Sequence, residues 1–383
     1  MQISNTQLIF ALMTAAMFSA LGLKWWPEPT AGFQLDEPGA TSQAPIYHEQ
    51  FISFAETSAV HAPALTQRDD GKLLVVWYAG TREGAKDVAI ASTIIDPGTY
   101  TLNPARHIAT RPQTTTDTWR YIRKLGNPVI HQLADGRIML IYVSVSFGGW
   151  AVSNLNIRFS DDGGQSWGQS QRLVTSPFIN ISTLVKGTPV NFDNGDIGIP
   201  TYHEFMGKFS EFLILDSRGN IKDKHRISWG RDAIQPVIVP VTSRKAIALL
   251  RDSGEINKRI GFSVSSNHGR QWSTPTPLKL PNPNAAVAAS RAGNQIISVF
   301  NNHEDERNDL TLAISNDHGA NWKIIHQFEN EALQPGKKTE FSYPYLVQDD
   351  KGGYHLVYTW HKQRIKYIHF NDAWLNKTVA TNQ

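Results

Sequence analysis

Six segments of the chain open on a polar residue, in five of them directly or closely followed by proline: His61-Ala62-Pro63, Asn127-Pro128, Thr188-Pro189, Gln235-Pro236, Asn284-Ala285 and Tyr343-Pro344. At the far ends of the apolar runs that follow stand Tyr78 with Arg82, Tyr142 with Ser144, Tyr202-His203-Glu204, Arg251, Asn301-Asn302 with Arg307, and Trp360-His361 with Arg364. Arginine forks hold carboxylates through paired hydrogen bonds, amides bond hydroxyl groups, and aromatic rings cover the C–H faces of sugars. The set suits a polyhydroxylated anion. The competing reading is that neighbouring acids neutralise the cations: Asp252 beside Arg251, Glu304 to Glu306 beside Arg307, and Asp87 beside Arg82 or Lys86.

These residues act together only if the chain brings six equivalent positions to one place, and its repeats predict that it does. A turn containing glycine or a short polar stretch, followed by an apolar strand, recurs six times, at Asp70-Gly71, Asp135-Gly136, Asn194-Gly195, Ser243-Arg244, Ala292-Gly293 and Lys351-Gly352. Three copies of a second signature, S-x-[D/N]-x-G-x-x-W, start at Ser160, Ser265 and Ser315, with spacings of 105 and 50 residues. Eroded copies stand at Asp96-Pro97-Gly98 and Asp216-Ser217-Arg218-Gly219. Serine and Asp or Asn bond locally to backbone N–H groups, glycine takes a left-handed corner, and tryptophan anchors the next strand. An all-β repeat with a period near fifty predicts a six-bladed β-propeller. The last unit lacks room for a full outer hairpin, so a strand near Tyr47 to Phe54 is expected to complete it. A seventh blade would require strands within 97–126. In either ring, strand openings and second-strand ends share one face, which the connection 97–126 also enters with Arg111, Arg120, Tyr121 and Arg123.

Composition narrows the function. Thirty-seven basic side chains face 34 acidic ones, without a run of like charge, so no nucleic-acid partner is expected. The absence of cysteine removes disulfides, thiolate metal sites and cysteine nucleophiles. The histidines show no metal-motif spacing, and phosphate-loop, dinucleotide and G-x-S-x-G patterns are missing, so neither metal nor cofactor is expected. Residues 7–23 are uncharged and run into Lys24-Trp25-Trp26-Pro27, predicting a membrane anchor or signal peptide over 1–26 and a domain facing the periplasm or exterior. The expected order continues with a linker over 27–45, a propeller over 46–376 and a tail over 377–383.

The box, the period and the six units together resemble the sialidase superfamily over roughly residues 46 to 375. That resemblance implies a glycosidase acting on terminal sialic acid or a related acidic sugar. Tyr343 is similar to the family's tyrosine nucleophile, Arg251 and Arg307 to two of its three carboxylate-binding arginines, and Asp87 to its acid/base aspartate. A tyrosine suits such a substrate because an attacking carboxylate would be repelled by the carboxylate on the anomeric carbon. Two positions depart from the pattern: His61-Ala62-Pro63 replaces Arg-Ile-Pro, and Gln235 stands where the glutamate that activates tyrosine would fall. An amide can orient a phenol but cannot take its proton. Glu204 or Glu340 could stand in for the base, and Arg82 or Arg123 for the arginine, with His61, Asn127, Gln235 and Asn302 lining the site. A glycosidase or lyase acting on an anionic polysaccharide, and a non-catalytic glycan-binding propeller, remain open alternatives.

Overall fold

The computed structural model describes residues 13–14, 30–35, 44–53, 59–176, 180–230, 232–254, 257–332 and 339–381. Apart from Met13 and Thr14, the apolar segment 7–23 lies outside them, and among the described residues no helix is long and apolar enough to cross a membrane.

Six antiparallel sheets form the ring. Blade one has strands Ala59–Gln67, Leu73–Gly80, Ala89–Ile95 and Arg106–Ala109. Blade two follows with Lys124–Gln132, Ile138–Val145, Ser153–Ser160 and Gln171–Arg172. In blade three the innermost strand is split into Leu184–Val185 and Val190–Asn191, ahead of Ile197–His203, Phe209–Leu215 and Ile221–Arg226. Blades four and five run from Ala233–Pro240 to Thr276–Pro281 and from Ala288–Ala292 to Lys323–Asn330. Blade six takes Phe341–Gln348, Gly353–Trp360 and Arg364–Asn371 from the end of the chain and Tyr47–Phe51 from its beginning. That strand closes the ring where the sequence predicts it. The segment 97–126 holds no extra blade: it supplies the outer strand of blade one and a helix, Arg111–Thr118, capped by the Thr110 hydroxyl.

Burial explains the strand composition. Blades stack face to face, so middle strands are covered on both sides and read as continuous apolar runs; Ile138–Val145 is buried throughout. Outer strands are largely solvated: in Lys323–Asn330 only Ile325 and Phe328 are buried. The box turns join third strands to fourth strands on the face we call the base. In the third box, Gly319 N–H donates to Ser315 Oγ at 2.8 Å, Asn321 N–H donates to Asp317 Oδ1 at 2.8 Å, and Trp322 Nε1–H closes the corner on the Gly319 carbonyl at 2.8 Å. The eroded copies keep this chemistry: Asp96 accepts from Gly98 N, and Asp216 from Asn220 N.

Part of the expected linker is docked. Phe33 is buried against Phe192 and Phe212, and its N–H bonds the Ser243 carbonyl, while Gln34 N–H bonds that of Asn191. Residues 31–35 therefore form a strap across the bases of blades three and four, because one large ring outweighs the turn-forming residues around it. At the other terminus a helix, Asp372–Thr381, crosses the expected boundary at 376, and its Trp374 stacks on Tyr47 at 5.0 Å.

Candidate functional site

The six strand openings converge on one face, the mouth. Antiparallel register puts His61 opposite Tyr78, Ile234 opposite Arg251 and Phe341 opposite Trp360, so first-strand starts and second-strand ends share that face. Four of the six openings contain a register shift, and in blade three the strand is split. Pairing slips between His61 and Ala64, Gly126 and Val129, Ile234 and Val237, and Ser342 and Tyr345. Within these bulges Ala62, Asn127, Gln235 and Tyr343 adopt positive φ, as does Asn284 ahead of the first strand of blade five, all between 39° and 54°. A left-handed backbone costs a residue with a β-carbon about 1–2 kcal/mol, and asparagine tolerates it best. The following proline occupies the unpaired half of the bulge, where its missing N–H leaves no gap in the ladder. The X-Pro signature is thus the trace of a bulge that turns side chains toward the axis.

One hydrogen-bonded chain runs around the mouth. Asn127 Nδ2 and Gln235 Nε2 each donate to the Tyr202 hydroxyl at 3.1 Å. Gln235 Oε1 accepts from Arg251 Nη1 at 3.0 Å, and Arg251 Nε donates to Asn284 Oδ1 at 2.7 Å. Arg307 Nη2 bonds the carbonyl of the same Asn284, and its Nη1 reaches Glu340 Oε1 at 3.1 Å. Glu340 also meets Lys362 at 3.3 Å, and Lys362 meets Glu83 at 3.8 Å. The two guanidinium groups therefore flank Asn284. The bonds of Arg251 go to neutral amides, whereas a carboxylate balances Arg307. Asp252 bonds the backbone of Gly254, Asn257 and Lys258, and Glu304 pairs with Arg259 at 2.6 Å.

Tyr343 is half-buried beside this chain. The His61 ring meets it edge-on, with centroids 4.5 Å apart, and meets Tyr78 at 5.6 Å; His61 Nδ1 lies 3.1 Å from Thr359 Oγ1. Burial pushes the His61 imidazole down to about 3; Glu340 opposes the shift, while Lys362, Arg307 and Lys186 add to it. It is neutral at any physiological pH. Lys186, from the split strand of blade three, crosses the axis and donates to the Pro344 carbonyl of blade six at 3.0 Å. Its ammonium lies 5.8 Å from the centre of the Tyr343 ring and 4.7 Å from that of Tyr345. Burial pushes it from 10.5 down to about 7. Lys186 floors the mouth, and below it an axial cavity of about 230 Å³, lined by Gln67, His131, Gln132, Asn191, Arg291 and Gln348, opens toward the base.

The remaining predicted residues lie at the rim. Glu204 is partly buried, and burial pushes its carboxyl up against the opposing fields of Arg251 and Lys208. Arg82 and Asp87 are exposed in the loop after the second strand of blade one. Asp87 is not brought into the axial chain: both its oxygens accept from Thr81, at 2.8 and 3.0 Å, and although desolvation is the largest single effect and raises its carboxyl, these bonds together hold it below the usual range. Asn302 bonds Asp309 through its backbone N–H. Arg123 bonds the Gly148 carbonyl, and Tyr121 is exposed. Sequence reasoning missed Lys186, Lys362 and Glu83. For Lys186 a signal existed: a lone cation between apolar Leu184-Val185 and Gly187 at a strand opening.

The family described as BNR repeat-like domain matches residues 71–356. The chain belongs to that family. Solved structures share the fold over most of the chain. The Hadza microbial sialidase Hz136 superposes with a TM-score of 0.68 at 15% identity, covering 85% of this chain and 68% of that one. A protein of unknown function from Dyadobacter fermentans gives 0.68 at 17%, covering 84% and 97%. The intramolecular trans-sialidase from Ruminococcus gnavus, in complex with oseltamivir carboxylate, gives 0.64 at 14%, covering 85% and 97%. At such identities the likeness is one of fold. No curated protein matches the chain. The protein is a sialidase-fold, six-bladed propeller whose mouth carries His61 and Gln235.

Proposed function

We propose that this propeller is a glycosidase that removes a terminal acidic sugar, sialic acid or a relative of it, using Tyr343 as nucleophile. The observation that carries this reading is the placement of Arg251 and Arg307 on either side of Asn284. Two guanidinium groups held that way can grip one carboxylate, and Arg251 is free to do so because its own partners are neutral. Tyr343 gives its hydroxyl proton to a carboxylate at the mouth, for which Glu204 and Glu340 are the candidates, as its oxygen attacks the anomeric carbon to form an aryl glycoside and the aglycone leaves with a proton from a rim acid; Asp87 is the family's candidate. Water then cleaves the aryl glycoside. Gln235 orients Tyr202 and Arg251, and neutral His61 packs against Tyr343 without adding charge. Lys186 makes the floor of the site cationic below about pH 7 and neutral above it, and so favours an anionic substrate at lower pH.

Fluorogenic sialosides and other acidic glycosides, assayed with the native protein and with Tyr343→Phe, test the proposal. Turnover abolished by the substitution, together with a fluorinated acidic glycosyl fluoride trapped on the peptide carrying Tyr343, is the expected result. Binding without turnover, equal in both proteins, would make it a glycan-binding propeller. Neutral His61 against Tyr343, with no carboxylate at Gln235, also favours a second reading, β-elimination from a uronate. That reaction would yield an ultraviolet-absorbing unsaturated sugar and no covalent intermediate. From the uncharged run 7–23 we further propose attachment to a membrane with the propeller outside the cytoplasm, which fractionation of cells producing the full chain tests.

A further inference from the structure

Away from the mouth, at the seam between blades six and one, Asp349, His355 and His369 present one ligand atom each within 4.8 Å of one another. Asp349 lies in the turn after the first strand of blade six, His355 on the second strand and His369 opposite it on the third. Asp349 Oδ2 is 3.0 Å from His355 Nε2, while Oδ1 is occupied by the amides of Lys351 and Gly353, at 2.9 and 2.6 Å.

Both imidazoles are held from behind. His355 Nδ1 meets the Tyr367 hydroxyl at 2.9 Å, and His369 Nδ1 meets that of Tyr100, from blade one, at 3.0 Å. The rings stack at 4.6 Å. Hydroxyl partners on Nδ1 are the outer contacts that orient metal-binding histidines and expose Nε2. The space between the ligands depends on Gly353. A β-carbon there would lie 2.7 Å from Asp349 Oδ2 and 2.9 Å from His369 Nε2, inside contact distance of both. Across the strand pair, His48 stacks on Tyr100, and its own Nε2 has no hydrogen-bond partner among the described residues.

We propose that Asp349, His355 and His369 bind a divalent transition metal ion, zinc being the best match to two imidazoles and one carboxylate. The ion takes the place of the proton shared by Asp349 and His355; that proton moves to His355 Nδ1, where the Tyr367 oxygen accepts it. Bound there, the ion ties the turn 349–353 to two strands of blade six, with Tyr100 bonded across the seam. Its role is to fasten the closure of the ring. The site lies in the base half of the blade and takes no part in sugar chemistry.

The test uses the full-length, chelator-treated protein, titrated calorimetrically with zinc chloride and with cobalt(II) chloride. One ion per chain, a rise in Tm with zinc and the intense visible bands of low-coordinate cobalt are expected. Asp349→Asn, His369→Gln and Gly353→Ala should each weaken binding at least tenfold. Absence of stoichiometric binding in the native protein, or octahedral cobalt spectra, overturns the proposal without depending on any variant. So does an unchanged zinc response in folded Asp349→Asn and His369→Gln.

Discussion

Replacing Lys186 by methionine should stabilise the protein, by an amount that depends on pH in a defined way. The ammonium is buried on the axis, where it donates to the Pro344 carbonyl, and its folded value lies near 7 against 10.5 for a solvated lysine. Because the folded value is the lower one, the unfolded chain binds the extra proton between about pH 7 and 10.5, and stability rises with pH across that interval. Below pH 7 both states are protonated and the full penalty applies, on the order of 5 kcal/mol at 1.36 kcal/mol per decade. By pH 9 roughly half of it is relieved. Methionine keeps the stem volume and removes the charge, but leaves the Pro344 carbonyl without its donor, which costs about 1–2 kcal/mol. Urea unfolding of the native protein and Lys186→Met at pH 6 and pH 9 therefore gives two numbers. The variant should be more stable by a few kcal/mol at pH 6, and that advantage should shrink by about 2–3 kcal/mol at pH 9. An advantage that does not change between the two pH values refutes a lysine titrating near neutrality.

Three further outcomes are expected. Arg251→Ala should lower kcat/KM for acidic glycosides by about 10- to 150-fold, mostly through KM, because a charge-assisted bond is worth about 1.5–3 kcal/mol; a loss as large on uncharged analogues would remove the clamp from the mechanism. His61, whose folded value near 3 lies below the usual 6.5, takes up its proton in the unfolded chain first, so stability should fall by roughly 1.4 kcal/mol per pH unit as pH drops from about 6 toward 3. The slope of stability against pH in His61→Gln should be smaller over that range, and parallel slopes would contradict the burial argument. Ser315→Ala should cost about 1–2 kcal/mol in chemical denaturation without altering kinetics, since Ser315 Oγ serves Gly319 N and Asp317 at the base.

The sequence reveals what is local and repeated. The boxes declare themselves because serine, aspartate and glycine bond to backbone within a few residues, and the X-Pro openings because each marks a bulge in a single strand. Register then carries the inference from one strand to its neighbour, which is how Arg251 and Tyr202 are found at the mouth. What the sequence hides depends on reach across the ring. Lys186 and Pro344 stand on opposite blades; Arg307 finds Glu340 rather than the acids beside it in sequence; Phe33 docks on blade three although the chain around it reads as a tether. The Asp349, His355 and His369 cluster is hidden for the same reason, since pairing of two strands and the missing side chain of Gly353, rather than motif spacing, bring it together.

The strap at residues 31–35 has a directional consequence. It is fastened to the base, through Ser243 and Asn191, on the far side of the ring from Tyr343. Whatever pulls on the chain ahead of Thr30 therefore loads the base of blades three and four first, and reaches the closing strand Tyr47–Phe51 only after Phe33 has been drawn from its socket. The strap acts as strain relief for the seam, and under the membrane attachment proposed above it would put the tether on the base side of the ring, away from the arginines of the mouth.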